Sequence, residues 1–293
     1  MSKNTTITPD DAAQLLAESP LNLSDFALFL SVMKNKEAYQ CTLSLILDEP
    51  DLELEDVKAE EVILNKSGKR AIRLDAWAVA KDQRQFNMEM QNDANNDDIP
   101  KRSRFYQSML DTPILKAGKQ TRYKNLPSTV IIFITQEDIF GKDFAKYTFT
   151  EQCEEIKGLH LDDGSKKIFL NMTSKNGSPK LISLLQYMKE TDINNPNILV
   201  HDPRIIRLDE IVTEVKQSEE WEAVQMNLIE YGISKGRQIG IEQGERLGRA
   251  NGIIKTARKY HANEEDIISQ LCEELAISEH EAREYIEKFE SAN

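Results

Sequence analysis

The run Ser128-Thr129-Val130-Ile131-Ile132-Phe133-Ile134-Thr135 constrains the fold of this chain more than any other segment. It is apolar with no alternation, and its length suits a strand. Such a strand must be buried on both faces of a sheet. The segments around it supply the rest of that sheet and its cover. Between Leu23 and Leu47, the residues Phe26, Phe29, Leu30, Met33, Tyr39, Leu43, Ile46 and Leu47 recur at helical spacing, which predicts one or two helices ended by Pro50. Glu60–Asn65 reads as a short strand and Lys66-Ser67-Gly68-Lys69 as a turn. Arg73–Ala80 and Gln85–Gln91 are then expected to form a hairpin through the polar connector Lys81-Asp82-Gln83-Arg84. A polar loop, NDANNDDIP, leads to a predicted helix over Arg102–Lys116, with Phe105, Tyr106, Met109 and Leu110 on one side. Lys146–Cys153 and Lys166–Met172 are expected as further strands, and Leu181–Thr191 as a helix. The order α-β-β-β-α-β predicts a mixed α/β domain over residues 23–215, preceded by a polar, poorly ordered segment, 1–22.

From Asp209 the composition turns to helix formers. In the connector 216–252, Gly236, Gly240, Gly244, Gly248 and Gly252 recur every fourth residue. Each glycine inside a helix costs about 1 kcal/mol relative to Ala. Two readings follow. One is a helix whose glycine ridge lets another helix approach closely and assembles a homo-oligomer. The other is a low-complexity, partly melted linker. Over 253–293, Ile253–Tyr260, Glu264–Leu275 and Ser278–Phe289 are predicted as three short helices. Asn263 and Ser278 stand where N-caps belong, and Glu281 completes a capping box with Ser278. This region is either a small docking module or an acidic, solvated tail.

The chain has 293 residues, 40 % hydrophobic and 30 % charged, as expected of a soluble globular protein. No apolar run approaches the ~20 residues that span a bilayer. The start, MSKNTTITPDDAAQ, lacks the basic-then-apolar layout of a signal peptide. Cys41, Cys153 and Cys272 are few, odd in number and far apart, and His160, His201, His261 and His280 are scattered. Neither a disulfide framework nor a zinc site is expected. A cytoplasmic location follows. The net charge of −13 argues against non-specific coating of nucleic acid. Residues 101–124 run against that average, with Lys101, Arg102, Arg104, Lys116, Lys119, Arg122 and Lys124 facing one acid, Asp111.

Each strand of the expected hairpin carries an acid among apolar residues, Asp75 in RLDAWAVA and Glu89 in QFNMEMQ. Strand alternation puts Asp75 with Trp77 and Val79, and Leu74 with Ala76 and Ala78 on the other face. Asn87, Glu89 and Gln91 share a face of the next strand. If the strands pair, the two acids meet. Two adjacent carboxylates repel unless a cation lies between them. Mg²⁺ takes one or two protein carboxylates and keeps waters and phosphate oxygens as its other ligands. The Met90 carbonyl could add a neutral ligand. The basic helix after the hairpin suits phosphate contact through Arg102 and Arg104. Polar residues on the exposed face of an edge hairpin would give the same pattern.

The spacing D-x(13)-E-x-Q across a hairpin resembles the core of the PD-(D/E)xK nuclease superfamily. LSDFALFLSVMKNKEAYQCTLSLIL, RLDAWAV, FNMEMQ, KRSRFYQSMLD, VIIFIT, DIFGKDFAKYTF and DGSKKIFLN extend the likeness to the PD-(D/E)xK nuclease family transposases, the Rpn group of recombination-promoting nucleases. The resemblance covers roughly 23–215, and the glycine-every-fourth tail is also a habit of that group. It implies a restriction-endonuclease-like αβββαβ core followed by an α-helical tail. It also implies Asp75 and Glu89 as metal-binding catalytic acids, with Mg²⁺ or Mn²⁺ as cofactor and DNA as substrate. Gln91 stands where the superfamily signature has Lys, as is common in this group. Arg102, Arg104, Tyr106 and Gln107 match the group's helix after the motif and are expected to bind substrate, the arginines at phosphates and Tyr106 as a wall. Asp25 also matches a group pattern, either as a distant third acid or as a helix N-cap. The expected function is metal-dependent DNA endonuclease. The alternative is a non-catalytic DNA- or protein-binding assembly protein on a nuclease scaffold.

Overall fold

The run 128–135 becomes the centre of the molecule. In a computed structural model that describes residues 21–64, 71–92, 97–112 and 122–292, strand β4 (Thr129–Thr135) is buried at every position. It lies in a six-stranded mixed sheet. The other strands are β1 (Leu54–Leu64), β2 (Ala71–Ala80), β3 (Gln85–Gln91), β5 (Lys146–Phe149) and β6 (Ser165–Asn171). Their order is β1-β2-β3-β4-β6-β5. β4 runs parallel to both its neighbours, β3 and β6, while β1, β2 and β5 pair antiparallel with theirs.

Helices cover both faces, as an apolar central strand requires. α1 (Phe26–Met33), α2 (Lys36–Leu47), α4 (Pro179–Lys189) and α5 (Pro203–Lys216) contribute to the larger core, with Phe86, Met88, Val130, Ile132, Ile134 and Leu170 beneath them. α3 (Ile99–Asp111) covers the opposite face, where Ile99, Tyr106, Met109 and Leu110 pack on Leu74, Ile131, Phe133 and Phe169. Phe105, expected on the apolar side of α3, is exposed; Ile99 and Ser103 complete the buried side instead. Helix starts follow local chemistry. The Asn35 side chain accepts from the N–H groups of Glu37 and Ala38. Asp98, Ser178 and Asp202 each cap a helix that carries proline in its first turn.

Several expected boundaries shift. β1 starts at Leu54, six residues before the expected strand. β5 ends at Phe149, not Cys153. The turn at 66–69, the segment 1–20, and Lys116 and Lys119 lie outside the described residues. Cys41, Cys153 and Cys272 are free thiols. Among the described residues, no helix is long and apolar enough to cross a membrane.

The chain divides into two compact units, Ser19–Val224 and, among described residues, the part from Gln225 onward. The division falls inside α6 (Glu219–Lys259), a continuous helix of 41 residues. The glycine repeat is therefore helical, not a melted linker, and the expected helix Ile253–Tyr260 is the end of α6. A Cβ added at any of the five repeat glycines would meet nothing within 4 Å. In this second unit the end of α6, α7 (Glu264–Leu275) and α8 (Glu279–Ala292) share a core of Ala250, Ile254, Ile267, Leu271, Ala282 and Ile286. Asn263 accepts from Asp266 N–H, and Ser278 and Glu281 form the expected capping box.

Candidate active site

β2 and β3 pair as far as Ala76 and Met88, and then part. One more step in that register would set Asp75 opposite Glu89; the next would let Leu74 and Met90 exchange backbone bonds. Side chains take over at this point. Asp75 N–H donates to Glu89 Oε1 at 3.0 Å, and Met90 N–H donates to Asp75 Oδ2 at 3.1 Å. The Asp75 carboxylate thus receives the N–H that a Leu74 carbonyl would take in an unbroken ladder. Leu74 registers the irregularity. It packs with Trp77, Tyr106 and Phe133, not with Ala76 and Ala78 as simple alternation predicts.

Both acids are buried, Glu89 at 1 % and Asp75 at 7 % exposure. Asn87 Nδ2 donates to Glu89 Oε1 at 3.0 Å, and Arg102 Nη2 lies 3.3 Å from Glu89 Oε2. Burial, reinforced by the charge of Asp75, pushes Glu89 up to about 8. The hydrogen bonds from Asp75 and Asn87 and the charge of Arg102 oppose that rise without cancelling it. From the opposite core, the fully buried Tyr39 donates its hydroxyl to the Ala76 carbonyl at 3.2 Å. Burial, then the charge of Glu89, raises the Tyr39 phenol well above its usual range.

Helix α3 brings Arg102 over this pair. Its Nη1 donates to Gln91 Oε1 at 2.8 Å, and its Nε and Nη2 donate to the Tyr106 hydroxyl at 3.0 and 2.8 Å. The guanidinium carbon lies 5.1 Å from the Tyr106 ring centroid and 5.6 Å from that of Phe133. Tyr106 packs in the core and also holds Arg102. Burial pushes its phenol up to about 12.

The remaining expected residues are placed differently. Arg104 is exposed; two positions from Arg102 on a helix, it lies on another side of α3. Gln107 is engaged with Asp111, its Nε2 at 3.5 Å from Asp111 Oδ2. Asp111 in turn interacts with Thr129, at the start of β4. The Met90 side chain is buried in the larger core. Its N–H points to Asp75, and a strand residue's carbonyl leaves on the same side as its N–H, so that carbonyl faces the gap too. Asp25 stands at the N-cap of α1, yet its carboxylate turns back to accept from Asn22 N–H at 2.6 Å.

Asn87 was missed as a functional residue, although the spacing Asn-x-Glu-x-Gln already put it on the face of Glu89. Its side chain is fully buried, and Oδ1 has no partner. An oxygen left unsatisfied at such a place suits a ligand or an ordered water. The donors gathered here, Asp75, Glu89, the Met90 carbonyl and Asn87 Oδ1, are all oxygens, which fits a hard divalent cation. Among the described residues there is no cluster of three or more His, Cys, Asp or Glu. Mg²⁺, which needs only one or two carboxylates, remains compatible with this set.

A six-stranded mixed sheet covered by helices on both faces is consistent with a PD-(D/E)xK nuclease-type domain. The family model for PD-(D/E)XK nuclease family transposases matches residues 24–224, and the chain belongs to that family. Comparison with curated proteins and with solved structures gave no match.

Proposed function

We propose that the chain is a metal-dependent endonuclease that hydrolyses phosphodiester bonds in DNA in the cytoplasm. The observation that carries this reading is the meeting of Asp75 and Glu89 at the parting of β2 and β3, roofed by Arg102. Asp75, Glu89 and the Met90 carbonyl would hold Mg²⁺ or Mn²⁺, which supplies Lewis-acid polarisation of the phosphate and a bound water of lowered pKa. Gln91 orients the attacking water. Arg102, bonded to Gln91, brings a positive charge to the place where the superfamily signature has Lys. That charge steadies the phosphate as negative charge builds on it. Arg104, exposed on α3, contacts the DNA backbone outside the reacting phosphate. Association of two copies through the C-terminal helical region would provide a site for each DNA strand.

End-labelled duplex DNA and RNA of the same sequence, incubated with the full chain and Mg²⁺, test this reading. Internal cuts in the DNA that EDTA abolishes are expected. Binding of the duplex with no cuts under Mg²⁺ or Mn²⁺ would contradict it and favour the non-catalytic alternative.

A further inference from the structure

The position of Arg102 has a consequence for how the site is loaded. We propose that Arg102 occupies the face of Glu89 that a divalent cation requires, and that it yields Glu89 and turns to the substrate phosphate when such a cation is held. The inference rests on the metal-dependent reading above and adds an exchange step to it.

Glu89 has two oxygens with unequal commitments. Oε1 accepts from both Asp75 N–H and Asn87 Nδ2, contacts that fix the carboxylate in its strand. Oε2 faces Arg102. A cation ligated by Glu89 therefore comes to Oε2, and there it meets a guanidinium of like charge in a setting only partly open to water. The Arg102 side chain is 27 % exposed and that of Glu89 1 %. Like charges at such spacing repel strongly where water screens them poorly.

Arg102 can leave Glu89 without losing its place. Its contact to Glu89, at 3.3 Å, is the longest of its four hydrogen bonds. The other three, at 2.8 to 3.0 Å, go to neutral partners, Gln91 and Tyr106. These act as a pivot while the guanidinium swings away from Glu89. A Lys at position 91 would instead repel Arg102, whereas the Gln91 amide oxygen accepts from it. The departure from the Lys signature and the seat of Arg102 are thus one arrangement. Because coupling between ligands is reciprocal, a phosphate that recruits Arg102 also strengthens cation binding at Glu89.

Footprinting the full-length protein with phenylglyoxal, an arginine-specific dicarbonyl, tests the exchange when read by mass spectrometry. Arg84, tied to Glu49 and Asp82, is the internal control. Labelling is compared in EDTA, in Mn²⁺, and in Mn²⁺ with a short DNA duplex, beside calorimetric Mn²⁺ titrations of wild type and Glu89→Gln. Labelling of Arg102 should rise several-fold with Mn²⁺ and fall again with the duplex, with Arg84 unmoved. If Mn²⁺ binds through Glu89 but Arg102 labelling does not change, the exchange is wrong and the metal site stands. Labelling that stays high with the duplex overturns the transfer to phosphate. If wild type binds no Mn²⁺, or Glu89→Gln binds it equally well, both readings fail.

Discussion

Asp75 N–H donates to Glu89 Oε1 at 3.0 Å, at the point where the β2–β3 ladder would otherwise carry on through backbone groups alone. One acid thus anchors the other, and each lies between buried residues of its own strand, Leu74 and Ala76 or Met88 and Met90. The fold supplies this position because β3 is pinned on its other side by the parallel ladder to β4. β2 can part from β3 without disturbing the centre of the sheet.

Glu89 links stability to pH. Its carboxyl is pushed up to about 8 from an ordinary value of 4.5, first by burial and then by Asp75. Between those values the folded chain holds a proton that the unfolded chain has released. Stability from this group is therefore full below 4.5, falls as pH rises through the window, and levels off above about 8. The loss is on the order of a few kcal/mol. Thermal melts in EDTA should show wild type losing stability relative to Glu89→Gln between pH 5 and pH 9, on the order of that loss. Parallel pH curves for the two proteins would contradict the burial assigned to Glu89.

Asn87→Ala removes the amide that fixes Glu89 Oε1. Groups that orient a metal ligand typically contribute 10- to 100-fold to affinity, so Mn²⁺ binding should weaken by about that factor. Calorimetry reads this directly, and unchanged affinity would leave Asn87 as packing alone.

Tyr106→Phe keeps the ring against Phe133 but removes the oxygen that accepts two Arg102 hydrogen bonds. The expected cost in stability is about 0.5–1.5 kcal/mol by denaturant unfolding. DNA cleavage should fall more than that modest change implies, because Arg102 loses its pivot. Full activity would separate Tyr106 from the site.

Gly240→Ala and Gly244→Ala place a methyl group where nothing lies within 4 Å. Each should add about 1 kcal/mol of helix propensity to α6. Far-UV circular dichroism melts of the double variant should report a more stable helix. A loss of helicity would mean that the glycine face is occupied in solution.

The central strand, the hairpin and the acid pair were legible because burial leaves periodic marks. β4 is apolar throughout, and Asp75 and Glu89 interrupt otherwise apolar strands. The first part of β1 was hidden: Glu55, Asp56 and Lys58 are exposed on an edge strand, where charge masks the strand pattern. α6 was ambiguous because local glycine cost and helical composition oppose each other, and 41 residues of continuous helix decide the matter. The contact between Arg102 and Glu89 could not be read from spacing. It depends on how α3 crosses Phe133, a tertiary fact set by Ile99, Tyr106 and Met109 together.

The most direct test is supercoiled plasmid incubated with the full chain in Mg²⁺, Mn²⁺ or EDTA, beside Asp75→Asn and Glu89→Gln. Both substitutions keep side-chain shape while removing a carboxylate charge. Nicked or linear plasmid is expected only with wild type and a divalent ion, with both variants at background. Cleavage that survives either substitution, or that persists in EDTA, would contradict this expectation.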